Sequence, residues 1–230
     1  MEAIMKTITK TITVTSSTAG QVIAPHISPT DIGVITVTHP NVTVKPGAGH
    51  NNINVSGTGA IVHTGSTGGD NITVTAGHAS IVGTSSGNHI TVSGPGNTLT
   101  LSGVHNKVVL TPGSSTTLGG NGTNIVRADG TSGTNNIDLT TSHSTVVVGN
   151  VTTTLHNTVI NHFVDGQDAL AFSTSKGSGA LTTTNLQNFL THNLISDGHG
   201  NTILELGHNQ NVTLIGVQPS ALHAADFTFI

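Results

Sequence analysis

The chain has 230 residues, enough to bury a substantial core, yet only 7% of them are charged and 2% are aromatic. Its formal net charge is −4 and it contains no cysteine, which excludes disulfides and thiolate chemistry. The six Lys and Arg residues are scattered and form no basic patch, so we do not expect nucleic-acid binding. No apolar run approaches the roughly eighteen residues of a membrane span, so membrane insertion is not expected either.

The first predicted element is a strand over residues 6–15, where Thr alternates with Ile, Lys and Val. It is either a first strand that covers the open end of a stack or a free arm that pairs with a neighbouring subunit through its edge. The self-association arm of the second interpretation comprises Thr7, Ile8, Thr9, Ile12, Thr13 and Val14. Residues 1–15 have no continuous apolar stretch and no small-residue cleavage site, so we expect no cleaved signal peptide. Short strands are predicted at 34–38 and 42–45.

From about Gly47 a nine-residue pattern begins, in which Asn lies two positions before an apolar strand residue. Each unit is a Gly-rich bend followed by a short strand, and two units make a turn of eighteen residues that can stack on the next turn. Asp70 takes the Asn position in one unit, and Thr123 takes it in another. Stacked amides can bond to each other along such a column. The predicted structural Asn ladder comprises Asn51, Asn88, Asn97, Asn106 and Asn135.

The apolar residue of each unit is predicted to point into the interior of the coil. These residues are Ile53, Ile61, Ile72, Ile81, Ile90, Leu99, Val108, Leu118, Ile125, Ile137 and Val146. The composition changes near residue 150, since all five Phe residues follow it. We therefore divide the chain into an N-terminal arm with first rungs (1–46), an Asn/Gly-rich solenoid (47–150) and a C-terminal cap (151–230).

Within the cap, Thr184 is predicted to begin a short helix that carries Leu186, Phe189, Leu190 and Leu194 on one face. A helical turn is predicted after Pro219. A hairpin is predicted from the segments 201–206 and 211–215. The fold class is therefore all-β, a parallel β-roll or β-helix solenoid with a β-rich C-terminal cap that contains one or two short helices.

The repeat resembles that of RTX proteins, GGxGxDxUx, where U is a large apolar residue. The segments GGDNITVT (68–75) and GPGNTLTLS (94–102) are the most similar. The resemblance implies a parallel β-roll in which Asp binds Ca²⁺ between turns. Here Asn mostly replaces that Asp, and Ca²⁺ affinity rises with the number of carboxylate ligands. We therefore expect that no cofactor is required and that Ca²⁺ binds at one or two residual sites at most.

The C-terminal region carries a second resemblance. VINHFVDGQDALAFS (159–173) and the segment 200–230 resemble the terminal domain of proteins exported by type I secretion. This resemblance implies a secreted, extracellular bacterial protein with an uncleaved C-terminal export signal and the type I secretion machinery as a partner. It also implies that Asp165 and Asp168 lie near a last calcium site. Together with Asp70, they are the candidate metal ligands.

No enzyme motif stands out, and we expect that the protein is not an enzyme. The fourteen His residues are spread along the chain, and their spacing brings no three together. A weak Zn²⁺ or Cu²⁺ surface site and a pH-sensitive patch remain open. The carboxylates are dispersed, and the absence of Tyr and Trp removes the aromatic platforms of many polysaccharide-binding clefts.

The expected function is that of a secreted structural protein that assembles with itself into extracellular fibres, a biofilm matrix or a surface layer. Low charge gives little repulsion between copies, and head-to-tail contact between unlike ends forms a filament. The alternative is an ice-binding or glycan-binding solenoid that acts as an adhesin-like module, with cell-surface polysaccharide as a further partner. For that alternative, the Thr and Ser pairs at 73–75, 91–93 and 100–102 would stack in two parallel ranks.

Overall fold

The computed structural model describes residues 9–14, 20–111, 114–119, 123–128, 134–140, 143–148, 157–172, 182, 184–207 and 210–230. Within these ranges the chain forms a β-solenoid of about seven turns, with parallel stacked sheets and a single short α-helix near the C-terminus. The predicted fold class is thus confirmed.

The coil has two long sheets, because successive strands alternate between opposite sides of each turn. The first sheet contains, in order, β1 (Thr9–Val14), β3 (Ile32–Val37), β5 (His50–Val55), β7 (Asn71–Val74), β9 (His89–Val92), β11 (Asn106–Leu110), β13 (Thr123–Ala128), β15 (His143–Val147), β17 (Ala169–Phe172) and β21 (Phe227–Phe229). The second contains, in order, β2 (Val22–Ile23), β4 (Thr43–Val44), β6 (Ile61–His63), β8 (Ser80–Gly83), β10 (Asn97–Leu101), β12 (Ser115–Gly119), β14 (Thr134–Leu139), β16 (Asn157–Asn161), β20 (Gln210–Leu214), β19 (Thr202–Gly207) and β18 (Leu194–Ser196).

The register gives the length of a turn. Asn88 bonds to Asn106, its neighbour in the next turn, across 18 residues, which is the turn length predicted from two nine-residue units. The first turn is longer, since Thr9 pairs with Ile32 across 23 residues, and the turns lengthen again toward the C-terminus, where Ser144 bonds to Asp168 across 24 residues. The added residues lie between strands, so the strands keep their positions in the sheets.

The interior is a continuous column of aliphatic side chains, as the alternation of the strands requires. Two of the predicted inward residues are wrong, because Ile61 is 41% exposed and Ile125 is 42% exposed. Their neighbours Val62 and Val126 are fully buried instead. Since side chains alternate between the two faces of a strand, an assignment shifted by one residue reverses the direction of the side chain. At β13 the shift means that Asn124, and not Thr123, takes the Asn position of the repeat.

The C-terminal end of the stack is covered by the helix α1 (Leu186–Asn193), which buries Leu186 and Leu190. The predicted start at Thr184 is wrong by one position, since Asn185 is the N-cap residue. Leu194 lies beyond the helix, in β18. An aromatic cluster closes the core below α1: the ring of Phe172 lies 6.0 Å from Phe189, 6.1 Å from Phe227 and 5.9 Å from Phe229.

The predicted hairpin is confirmed as the antiparallel pair β19 and β20. The predicted turn after Pro219 is confirmed as a short 3₁₀ helix, Pro219–Ala221, and a second one follows at Ala224–Asp226. Both long sheets continue past residue 47, where β3 pairs with β5 and β4 with β6, and past residue 150, where β14 pairs with β16 and β15 with β17. The sheets mark neither boundary, so the three-part division of the chain stays a prediction.

Candidate functional sites: the polar ladder and the ends of the stack

One column of buried polar side chains runs along the first sheet, two positions before the inward aliphatic residue of each strand. We call this column the first-sheet ladder, and its members are Asn51, Asp70, Asn88, Asn106, Asn124, Ser144 and Asp168. All seven are at most 3% exposed. They lie within one residue of the start of their strands. Five of them bond both to their own bend and to a neighbouring turn, namely Asn51, Asp70, Asn88, Asn106 and Asp168.

Asn88 and Asn106 each make two kinds of hydrogen bond, whereas the buried Oδ1 atom of Asn51, at the start of the ladder, has no hydrogen-bond partner among the described residues. The Oδ1 atom of Asn88 accepts the backbone N–H of Asp70 at 3.0 Å, and Asn106 Oδ1 accepts the N–H of Asn88 at 3.1 Å. The Nδ2 groups donate to carbonyls of their own bends, from Asn88 to Ser85 at 2.9 Å and from Asn106 to Gly103 at 2.8 Å. The ladder therefore closes the bends and joins the turns with the same side chains.

The five predicted ladder residues do not form a single column. Asn51, Asn88 and Asn106 belong to the first-sheet ladder, whereas Asn97 and Asn135 lie in the second sheet. Asn97 Oδ1 accepts the N–H of Ala79 at 2.9 Å, and Asn135 Oδ1 accepts that of Ser114 at 3.0 Å. A nine-residue unit is half a turn, so alternate units lie on opposite sheets.

Asp70 is a member of the ladder whose carboxylate oxygens are both bonded to the protein. Its Oδ1 accepts the backbone N–H of Asn51 at 2.9 Å and the Nδ2 group of Asn51 at 2.8 Å. Its Oδ2 accepts the N–H of Gly65 at 2.6 Å. Here the bend presents an N–H group where other bends present a carbonyl, so a carboxylate fits and an amide would not.

Asp168 follows the same rule at the other end of the ladder. Its Oδ1 accepts the N–H of Ser144 and its Oδ2 accepts the N–H of Val164, both at 2.9 Å. Burial raises the pKa of Asp168, and these two hydrogen bonds oppose the rise. Both oxygens of each of these two carboxylates therefore accept at least one N–H group of the protein.

Asp165 lies apart from the ladder on an exposed bend and bonds to the buried carboxyl group of Asp226, which raises the pKa of Asp165. Asp226 in turn accepts the N–H groups of Gly166 and His223. Sequence spacing gave no signal for this contact. Among the residues that the structure describes, no group of three or more His, Asp or Glu side chains is placed to hold a metal ion.

No protein-family model matches this chain, and no curated protein matches it significantly. The RTX and type I secretion resemblances therefore remain hypotheses that rest on the motifs alone. In the part of the chain that the structure describes, no helix is both long and apolar enough to cross a membrane.

A second ladder, which the sequence analysis missed, consists of hydroxyl groups just after the strands of the first sheet. Ser93 donates both its N–H and its Oγ–H to the carbonyl of Val74, at 2.8 and 3.0 Å. The same pair of hydrogen bonds to a carbonyl of the preceding turn recurs at Thr38, Ser56, Thr75 and Thr111. The sequence did contain a signal for this ladder, which is a Ser or Thr that directly follows an inward Val or Leu and recurs every 18 or 19 residues.

This ladder changes the interpretation of the predicted Thr and Ser ranks. Thr73 and Thr91 do align on the outer face of the first sheet. Thr75 and Ser93, however, use their hydroxyl groups for the bonds between turns. The pair at 100–102 begins in β10 of the second sheet. The three pairs therefore do not form two continuous ranks.

The His residues lie mostly on the surface of the coil. His105 and His143 line a groove of about 350 Å³ together with Thr123, Thr145 and the exposed Ile125. Among the described residues, these two imidazoles have no third ligand that would complete a metal site.

The two ends of the stack differ. At the N-terminal end, β1 pairs with β3 in register along all six residues and has no strand on its other side among the described residues. It is therefore a terminal strand of the sheet and not a detached arm. Of the predicted arm, Thr7 and Ile8 lie outside the described residues. At the C-terminal end, the last strands β21 and β18 have three residues each. The helix α1 contacts β18 and β19 of the second sheet and, through Phe189, Phe172 of β17 in the first sheet.

Proposed function

We propose that the protein is a secreted structural β-solenoid whose copies associate end to end into extracellular fibres, a biofilm matrix or a surface layer. The observation that carries this proposal is the stack itself, in which, among the residues that the structure describes, both sheets finish on edge strands with one unpaired side. An edge strand presents a row of backbone donors and acceptors to a second chain. A formal net charge of −4 gives little repulsion between copies.

The direction of the strands supports head-to-tail growth. β18 and β20 are each antiparallel to β19, so β18 runs in the same direction as the parallel strands of the second sheet. β21 is parallel to β17 in the first sheet. Both edges at the C-terminal end therefore run in the same direction as β1 and β2 at the other end. Contact between these unlike ends does not close, which makes it a route to filaments.

Export rests on the C-terminal motifs at 159–173 and 200–230. In this proposal they engage the type I secretion machinery, and cell-surface polysaccharide is a further partner. Expression beside a type I exporter tests this part. The full chain should reach the medium, and a variant that ends at residue 199 should stay in the cells.

Assembly is tested by negative-stain microscopy and sedimentation of the purified chain over a range of concentrations, with and without Ca²⁺. Oligomers or filaments that form equally well in the presence of a chelator are expected, because both oxygens of Asp70 and of Asp168 are bonded to the protein. A strict monomer at high concentration would rule the proposal out.

A second candidate function is supported by the outer face of the first sheet. From β3 to β9 one column of this face consists of Thr36, Asn54, Thr73 and Thr91, aligned in register. An uncharged, regularly spaced row of this kind suits a repetitive ligand such as ice or a polysaccharide. Thermal hysteresis would favour the first ligand, and retention on a glycan array would favour the second.

A further inference from the structure

We infer that the first contact between copies is a symmetric dimer in which the β1 edge of one molecule pairs antiparallel with the β1 edge of another. The inference rests on the proposed self-association and specifies its partner, a second copy of the N-terminal end. It competes with head-to-tail growth for the β1 edge, because the same surface is used on both molecules and the contact closes on itself. A molecule in the dimer must therefore dissociate before it adds to a filament through that edge.

The backbone groups that face away from the sheet can be identified residue by residue. The carbonyl of Val14 accepts the N–H of Thr38, so the backbone groups of Val14 point toward β3. The N–H and C=O groups of successive strand residues alternate between the two sides. Lys10 and Ile12 therefore also bond toward β3, and the backbone groups of Thr9, Thr11 and Thr13 face outward.

These outward groups match their own copies around a two-fold axis at Thr11. In that register Thr9 lies opposite Thr13 of the second copy, and Thr11 lies opposite Thr11 of the second copy. Each of the three opposed pairs exchanges two N–H···O bonds, which gives about six backbone hydrogen bonds. Directly opposed Thr residues also stabilise antiparallel strands.

The charged residue of the strand is compatible with this register. Lys10 lies opposite Ile12 of the second copy, so the two ammonium groups do not oppose each other. Lys10 Nζ donates to the carbonyl of His26 at 2.5 Å, which directs the side chain toward its own molecule. A register shifted by one residue on each strand toward the N-terminus would place Lys10 against Lys10 and is disfavoured by like-charge repulsion.

The C-terminal end offers a poorer partner for β1. β21 has three residues against the six of β1, so it matches only half of the edge. Phe227 and Phe229 of β21 are packed in the aromatic cluster below α1. Very short edge strands and coverage by a helix are the usual protections against strand addition. By comparison, β1 is long and regular.

The size of the end predicts a weak dimer. Six residues at about 3.3 Å each and two sheets about 10 Å apart, with their side chains, give an end of about 20 by 20 Å. The dimer would bury about 800 Å² in total, below the roughly 1,200–2,000 Å² of stable complexes. Association should therefore depend on concentration in the micromolar range or above.

Cysteine cross-linking tests the register, because the chain contains no cysteine of its own. In the dimer the two Cα atoms at position 11 lie about 5.5 Å apart, within the range of a disulfide. Thr11→Cys should form a covalent dimer under mild oxidation, at a rate that rises with concentration. The control is Thr73→Cys, which lies on the same outer face but in the interior strand β7 and should remain monomeric.

A proline variant tests the contact without oxidation. Thr11→Pro removes an N–H group that faces outward, so it should preserve the pairing of β1 with β3 and the circular dichroism spectrum. It should weaken dimerisation measured by sedimentation at least tenfold. If the wild type associates but Thr11→Cys does not cross-link faster than Thr73→Cys, the symmetric dimer is wrong and end-to-end assembly survives. A wild type that stays monomeric at millimolar concentration overturns both.

Discussion

Replacing Asn88 with Ala should show how much the first-sheet ladder stabilises the fold. Asn88 is 1% exposed, and its side chain bonds to Asp70, Ser85 and Asn106. Its removal leaves the buried N–H of Asp70 without its acceptor and the carbonyl of Ser85 without its amide donor. Asn106 Oδ1 keeps its bond from the N–H group of residue 88. Two buried polar groups therefore lose their partners.

Each such group costs about 1–3 kcal/mol, so Asn88→Ala should lower the free energy of unfolding by about 2–6 kcal/mol. That is a large fraction of the roughly 5–15 kcal/mol of an ordinary domain. Urea denaturation followed by circular dichroism measures the change. The matched control is Asn71→Ala, an exposed Asn in β7 whose loss should change the stability by less than about 0.5 kcal/mol. If both variants lost the same stability, or Asn88→Ala lost under 1 kcal/mol, the ladder would not stabilise the fold as described.

The other predictions concern single positions. Asp70→Asn should lower the free energy of unfolding, measured in urea, by about 1–3 kcal/mol, because the amide would turn a donor toward the N–H of Gly65. This loss is expected although Asn is the common ladder residue. An unchanged stability would show that the N–H of Gly65 does not require a carboxylate at position 70. Gly103→Ala should lower the melting temperature far more than Gly119→Ala, because a Cβ at 103 overlaps the backbone of the preceding turn, whereas one at 119 meets no atom closer than 3.4 Å and neither position has a positive φ. Equal losses would show that close packing of turns does not matter there. Burial, together with the charge of Lys45, lowers the pKa of His63 below its ordinary value of 6.5. The contribution of the neutral His63 side chain to stability is therefore complete above pH 6.5 and is lost as the pH falls through the lowered pKa. The melting temperature of His63→Gln should fall less than that of the wild type over this range, and parallel pH curves would refute the assignment.

The period of the sequence was sufficient to predict the solenoid, because a buried residue every nine positions can be satisfied only by a regular coil. The period could not decide which of two adjacent β-branched residues points into the interior of the coil. Ile61 and Val62 are one such pair, and Ile125 and Val126 are another. Both members fit a strand equally well, and only the register with the neighbouring turns selects the buried one.

The ladder residues were predicted as a group, but their partners were not. Whether a position carries Asp or Asn depends on whether the bend presents an N–H or a carbonyl, as at Asp70 and Asn88. This orientation is a property of the backbone that composition does not reveal. The contact between Asp165 and Asp226 could not be predicted for another reason. It joins a bend of the coil to the last 3₁₀ helix, which lies far away in the sequence.

The contrast between the two ends of the stack gives the molecule a mechanical polarity. A pulling force applied to the N-terminus acts first on β1, which pairs with a strand on one side only within the described ranges. The opposite end is held by α1 and four phenylalanine rings. Rupture should therefore start at β1 and travel rung by rung toward the opposite end. The first released coil, of 23 residues, lengthens the tether by about 75 Å, and each of the following coils of 18 residues lengthens it by about 60 Å. A force spectrometer would therefore record one larger step and then a series of similar steps.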